Sequence, residues 1–417
     1  MKHILSNKRK IFNDPVYGFI TIPNELIFDL IENPYFQRLR RIKQLGLTHL
    51  VYTGAIHTRF QHAMGAMHLM MQAVETLNAK NYQITEEEEN ALYIAILLHD
   101  IGHGPFSHAL ENSIVHHITH EDLSEIFMNK LNETFNGKLS IAIDIFNNTY
   151  SKKFLHQLVS SQLDMDRLDY LMRDSYFTGV SEGVIGYDRI IKMLSVVNDE
   201  LVIESKGIYS IEKFIISRRL MYWQVYLHKT VIAAEILLVK ILKKAKELAQ
   251  TGDILFATPA LKVFLYNKFS KKDFYDDINT LNAFAELDDN DIFASIKAWT
   301  YHEDIILSKL CKNLVNRNLF KIELQNQPFP IEKINNLKKI IQKNMAININ
   351  DIDYFFFEGT ITNSAYDFGK DHINILFSNG ELIDISEASD QLNTAVLCKS
   401  VTKHYICYPK NIENLTS

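Results

Sequence analysis

Cysteine is nearly absent: Cys311, Cys398 and Cys407 are the only three in 417 residues, at scattered spacings with no C-x-x-C pair. That excludes a disulfide framework and a thiolate zinc site, and fits a reducing, cytoplasmic setting. Glycine and proline are also scarce, at 15 and 8. No Ser/Gly/Pro-rich linker, low-complexity tract or repeat interrupts the chain, so it reads as continuous packed structure. Missing too is any apolar run near the roughly eighteen residues of a membrane span. The longest candidate, Thr230 to Leu242, carries Glu235 and Lys240. The cationic start MKHILSNKRK has no apolar segment behind it, so no secretory signal is expected. Positive charge is not in excess either: a net charge of -6 argues against a dedicated duplex-binding surface.

What remains is enough for a large core, with 47% hydrophobic residues and a length that suits two or three structural units or one large helical enzyme core. Apolar residues recur at helical spacing in Phe60, Met64, Met67, Met71 and Val74. The run EEEENALYIAILLHD starts behind Thr85 with Glu88 three residues on, a capping box, and its helix should end near Gly102. Further helical patterns cover about 25–45, 120–135, 155–174, 185–197, 210–249 and 290–316. After about Asn318 the character changes: aromatic-rich or alternating runs appear at Phe320 to Leu324 and Tyr354 to Phe357. Asn379-Gly380 between two apolar stretches predicts a type I′ hairpin. The expected fold is mainly α, a helical catalytic body over 1–317 followed by a smaller α+β part over 318–417.

Chemistry concentrates in LLHDIGHGPFSH, Leu97 to His108. The His99-Asp100 pair alone proves little, since chance alone should supply about two His-acid neighbours in a chain of this composition. Clustering is the better signal: nine of the 16 histidines fall between 57 and 120, where an even spread would put about 2.5. His99 and Asp100 at the end of a buried helix can grip one ion. RFQH upstream and LDMDRLDYLMRD downstream supply His62 and Asp166 to close the site. Two histidines with two carboxylates suit Fe, Mn, Zn, Ni or, less comfortably, Mg. Such an ion lowers the pKa of water and neutralises charge developing on a phosphoryl group, so hydrolysis of a phosphate ester or anhydride is expected. Asp166, Tyr170 and Asp174 share one helix face, with Arg167 and Arg173 beside it to meet phosphates; a solvated face of ion pairs is the plainer alternative. His103 and His108 flank the Gly-Pro turn as candidate general acids or bases, with Glu111 one turn beyond His108 to orient it. His120-Glu121 is a weaker candidate pair, and His68, His116 and His117 are assigned to packing or surface.

Together RFQH, HDIGHGPFSH, His120-Glu121 and LDMDRLDY resemble the HD-domain phosphohydrolases. More narrowly they resemble the deoxynucleoside triphosphate triphosphohydrolases (dNTPases, dGTPases) related to the vertebrate SAM-and-HD-domain dNTPase. The likeness runs from IFNDPVYG through PYFQRLRRIKQLG to RNLFK, about three quarters of the chain, and no sterile-alpha-motif domain is expected ahead of it. The resemblance implies that His62, His99, Asp100 and Asp166 hold the metal, and that His103, His108 and His120 line the α-phosphate, with His108 the proton donor or its close partner. It places Gln44, followed by Leu45, at the sugar 3′-hydroxyl, Arg59, Arg167 and Tyr170 at the phosphates, and Asp174 at the sugar. Tyr226 would stack under the deoxyribose, with Tyr222 one turn before it and Arg218 facing the phosphate or base. The implied reaction is attack of water at the α-phosphorus of a dNTP, dGTP being one candidate, to give deoxynucleoside and tripolyphosphate. Arg167, Glu111 and Tyr222 depart from the vertebrate pattern, which has Lys, Asp and His there; the last bears on base or sugar selectivity.

The resemblance also implies a GTP or dNTP effector at a subunit interface of a homo-oligomer, dimer or tetramer. Lys10, Glu32, Gln37, Arg40, Arg189, Lys206, Arg317 and Lys321 stand where that allosteric pocket would be, although each alone is an ordinary surface residue. Two other readings stay open: the same site acting on a cyclic dinucleotide, ppGpp or another phosphate ester, and a nucleotide-sensing or single-stranded nucleic-acid-binding oligomer with weak catalysis.

Overall fold

Thr85 caps the helix Glu86–Leu98 by the predicted box: its hydroxyl accepts from the Glu88 amide at 3.2 Å, and the Glu88 carboxylate accepts from the Thr85 amide at 2.9 Å. Every residue from Ala91 to Leu98 is buried, so this helix has no solvent face beyond its acidic first turn. Each Leu or Ile it removes from water contributes about 1.5–3 kcal/mol. The helix Arg59–Ala79 packs against it and also against Met165–Thr178. The computed structural model describes residues 10–106, 109–110, 113, 118–363, 366, 372–390 and 400–410. The fold is mainly α, as expected, and no described helix is long and apolar enough to cross a membrane.

Several expected helices are interrupted where local chemistry forbids continuation. The 25–45 pattern resolves into Glu25–Glu32, Pro34–Gln37 and a 3-10 turn Arg38–Arg41. Asn33, at ψ 136, is extended because the residue before proline is pushed out of the helical region. The 155–174 pattern breaks into Lys153–Val159 and Met165–Thr178, where Asp164 caps the second helix. The 185–197 pattern yields only the helix Tyr187–Lys192 before its β-branched tail becomes strand β3, Leu194–Val197. The 210–249 pattern is Ile208–Met221, a π turn Tyr222–Tyr226, and Lys229–Gln250. The 290–316 pattern is Asp289–Trp299 and Ile305–Val315.

Three small sheets are present among the described residues. Strands β1 (Ile11–Asp14) and β2 (Gly18–Thr21) form an antiparallel hairpin. Strand β3 pairs with β4 (Glu200–Glu204) around Asn198 and Asp199, both at positive φ, 52° and 64°, so the type I′ turn lies here. The turn expected at Asn379-Gly380 is different. Only Gly380 has positive φ, 84°, and the loop between β7 (Asn374–Leu376) and β8 (Leu382–Asp384) is a type I turn closed by a left-handed glycine. Strand β7 also pairs in parallel with β4, tying residues late in the chain to the helical body. The third sheet has the order β5 (Lys321–Gln325), β9 (Val401–Tyr408), β6 (Phe357–Asn363), all antiparallel, with β5 against the long helix Lys229–Gln250.

Candidate active site

His62 stands in the first turn of Arg59–Ala79, His99 caps the C-terminus of Glu86–Leu98, and Asp166 lies in the first turn of Met165–Thr178. Packing of the three helices brings these side chains together. His62 Nε2 lies 3.0 Å and His99 Nε2 3.5 Å from the same oxygen, Asp166 Oδ1. One donor atom from each residue falls within 4.8 Å of the other two. Donors around one ion sit at most about 4.4 Å apart for bonds of about 2.0–2.2 Å, so this group could hold a metal. Both Nε2 atoms are buried without a hydrogen bond of acceptable geometry, which is costly for polar atoms unless a cation engages them. Asp100, expected as the fourth ligand, borders the group: its oxygens are 3.4 Å from His99 Nε2 and 3.9 Å from His62 Nε2. It is shared, taking Arg59 Nη1 at 2.6 Å and facing His103 Nε2 at 3.2 Å. Burial opposes charge on His62, but the carboxylates of Asp166 and Asp169 outweigh it and raise the imidazole to about 10, so a cation bound here would take the place of the proton on Nε2. Asp166 is likewise held far below the usual carboxylate range, against its burial, by His62 and His99.

The turn after His99 is pinned from two sides. Ser124, on the helix His120–Thr134, donates to the His99 carbonyl at 2.7 Å and accepts from the Gly102 amide at 2.9 Å. A Cβ at Gly102 would sit 2.2 Å from the His120 carbonyl, so only glycine permits this approach. Arg38, fully buried beside Phe127 and Phe284, donates to the Ile101 and His103 carbonyls. Burial pushes its guanidinium down to about 9.

Behind His62 lies a network that the sequence reading assigned differently. His62 Nδ1 donates to Asp169 Oδ2 at 2.7 Å, and Arg173, expected to meet phosphates, instead pairs with Asp169 and Asp14 in the interior. Burying a guanidinium requires compensating carboxylates, and Asp169 one turn earlier is the nearest. That i,i+4 pair was the available signal; nothing local pointed to Asp14.

His103 stacks on His120 with ring centroids 3.8 Å apart, and His120 Nε2 lies 3.1 Å from Glu121 Oε1. Burial and then Arg59 lower His103 to about 3, which favours its neutral form. His108 and Glu111 lie outside the described residues, as do His116 and His117. Arg167 is anchored by the Asp164 carboxylate and the Ser161 carbonyl. Asp174 is buried and engaged on both oxygens, by His57 Nε2 at 2.8 Å and the Tyr226 hydroxyl at 2.7 Å; His57 was not singled out from the sequence. Tyr226 packs edge-on against Tyr170 and Tyr222. The π turn that carries Tyr222 and Tyr226, closed by the Leu227 amide on the Tyr222 carbonyl, is the kind of helix defect often found at functional sites. Arg218 is half-buried nearby, its Nε without a hydrogen bond.

Gln44, Leu45, Arg59, Tyr222 and Tyr226 line one cavity of about 950 Å³, at the upper end for a small-molecule site. Arg59 connects it to the ion-binding group through Asp100. Its far wall was not foreseen: Lys240 from the long helix, with Phe357, Thr360, Ile361 and Tyr405 of the C-terminal sheet. Residues expected at an effector pocket fall at three places. Lys10 lies over Phe28, while Gln37 and Arg40 bond each other near exposed Glu32. Arg189 donates to the Lys206 carbonyl. Arg317 donates to the Leu50 carbonyl, and Lys321 lies 3.6 Å from Glu323.

Two histidines and an aspartate converge from three helices on a place that could hold a metal ion, and sequence comparison puts the chain among the HD-domain hydrolases. The HD domain family matches residues 59–171 and the HD associated region matches 185–254. A phosphohydrolase of Bacteroides thetaiotaomicron, known from its crystal structure, is 52% identical, with a TM-score of 0.93 over 96% of this chain and 100% of its own. The uncharacterized protein YwfO of Bacillus subtilis is 35% identical over 97% of this chain and 93% of its own length. The deoxynucleoside triphosphate triphosphohydrolase SAMHD1 homolog of Dictyostelium discoideum is 31% identical over 59% of this chain, which spans 51% of that protein. The chain belongs to the HD-domain phosphohydrolase family and is a homologue of the SAMHD1 triphosphohydrolases.

Proposed function

We propose that this protein hydrolyses deoxynucleoside triphosphates to deoxynucleoside and tripolyphosphate. The observation that carries the reading is the junction at Arg59, which lines the cavity and at the same time binds Asp100 at the edge of the His62, His99, Asp166 group. A triphosphate reaching from that edge into the cavity would meet Arg59 first, with Arg167 as a second cation. Gln44, Tyr226 and Asp174 would hold the sugar, and Tyr226 presents its ring where a deoxyribose could pack. The relatives named for this activity support the substrate class; dGTP is the preferred candidate.

His62, His99 and Asp166, with Asp100 beside them, would hold a divalent ion, which when bound supplies charge neutralisation at a phosphoryl oxygen and activation of water. The protein's own part is to bind and orient. Arg59 neutralises phosphate charge, stacked His103 and His120 line the α-phosphate, and Asp174 and Tyr226 hold the sugar. His108, with Glu111, is the proposed proton donor to the leaving nucleoside. A nucleotide effector acting on a homo-oligomer through Lys10, Glu32, Gln37, Arg40, Arg189, Lys206, Arg317 and Lys321 belongs to the same proposal. Product analysis over the four dNTPs with Mn or Mg tests it: deoxynucleoside with tripolyphosphate is expected, and release of dNMP with pyrophosphate would refute it. Light scattering with and without GTP tests the effector: a change of mass with activation is expected.

A further inference from the structure

We infer that Asp14, Arg173 and Asp169 form a positioning chain that sets the orientation and tautomer of His62. The inference rests on the reading of His62 as an ion ligand. Asp14 closes the β1–β2 hairpin, its Oδ1 accepting from the Val16 and Tyr17 amides at 2.9 and 3.0 Å. That leaves Oδ2 to accept from Arg173 Nη1 at 2.7 Å. Arg173 Nε and Nη2 then clamp both oxygens of Asp169, at 2.9 and 3.0 Å, and Asp169 Oδ2 accepts from His62 Nδ1. The side chains of Arg173, Asp169 and His62 are 0% exposed and that of Asp14 5%. Gly65 makes the room: a Cβ there would lie 2.0 Å from Asp169 Oδ1 and 2.1 Å from Arg173 Nη2.

The direction of the chain gives it a function beyond packing. A carboxylate on Nδ1 holds the proton there, so Nε2 offers its lone pair to the space shared with His99 and Asp166, and the imidazole becomes a better donor. With two fixed donors on Asp169, that carboxylate cannot rotate away. Two carboxylates against one guanidinium leave one negative charge behind His62, which favours a cation in front of it. Asp14 therefore acts at the ion site from a hairpin that supplies no ligand itself.

The test is Mn titration of the full-length chain and two variants. Asp169→Asn is expected to weaken Mn binding about 10–100-fold, and Asp14→Asn, one step further away, by about tenfold or less. A wild-type chain that binds no Mn would remove the ion-ligand reading itself. A wild type that binds Mn, with folded variants that bind it equally tightly, would overturn the chain alone. Because a variant could fail to fold, the wild type provides a second readout: nitrogen-15 histidine spectra of the zinc-loaded protein should show His62 protonated at Nδ1, and a proton on Nε2 would equally overturn the inference.

Discussion

His57 Nε2 meets Asp174 Oδ1 at 2.8 Å, both side chains buried, although 117 positions separate them. The ring of His57 also stacks on Phe177, with centroids 4.5 Å apart. Asp174 is thus held in one orientation, with Tyr226 completing its hydrogen bonds. Tyr226→Phe should cost about 0.5–1.5 kcal/mol of stability and raise KM for a dNTP several-fold at unchanged metal content. Thermal denaturation and steady-state kinetics check this, and an unaltered KM would place Tyr226 outside the sugar site.

His99→Ala and Asp166→Ala should each leave the protein without stoichiometric metal and cut turnover by more than about 100-fold, since loss of outer-shell support already costs 10–100-fold. Metal analysis of the purified variants decides it; a variant with no ion and full activity would contradict the ligand assignment.

Gly65→Ala places a methyl group against Asp169 and Arg173, both held in the interior. Overpacking of this kind costs about 1–3 kcal/mol. A lowered Tm is expected, with weaker Mn binding, because the displaced carboxylate is the one that holds His62.

Glu88 caps its helix and accepts from Lys152 at 2.7 Å and Tyr150 at 2.9 Å. Its burial works against ionisation, yet these partners and the Thr85 amide keep its pKa below the ordinary 4.5. A lowered pKa means stability that is present above pH 4.5 and lost as the pH falls through the folded-state value. The difference in unfolding free energy between wild type and Glu88→Gln should therefore be widest near neutrality, at about 1–3 kcal/mol, and close on acidification; a gap independent of pH would show that the charge contributes nothing.

Tyr405, from strand β9, lines the far wall of the cavity and lies across Gly359. Tyr405→Ala should raise KM for the preferred dNTP several-fold while bound metal stays stoichiometric. Equal KM values across the four dNTPs before and after substitution would exclude the C-terminal sheet from substrate selection.

Much of the site was readable locally. His62, His99 and Asp166 each sit in a short motif near a helix end, and ligand type with helix position narrows the chemistry to few metals. The Thr85 box and the helix from His120 also followed from residues within one turn. Arg173 was misplaced because a helical period shows which residues share a face but not which side is covered. The interrupted helix after Asn33 was legible in Pro34, whereas the type I′ turn went to Asn198-Asp199 because turn type follows the twist of the strands being joined.

The amino-acid sequence alone determined a mainly helical fold and singled out His62, His99 and Asp166, the side chains that the structure brings together, since these depend on composition and on neighbours one or two turns away. Only the tertiary structure decided that Asp14 reaches His62 through Arg173 and Asp169, that His57 orients Asp174, and that the C-terminal sheet walls the cavity. Burying a charge is costly, so each buried ionic group must find its partner wherever packing supplies one. For Asp174, His62 and Arg173 such a partner, His57, Asp169 and Asp14 respectively, comes from a segment more than a hundred residues away along the chain.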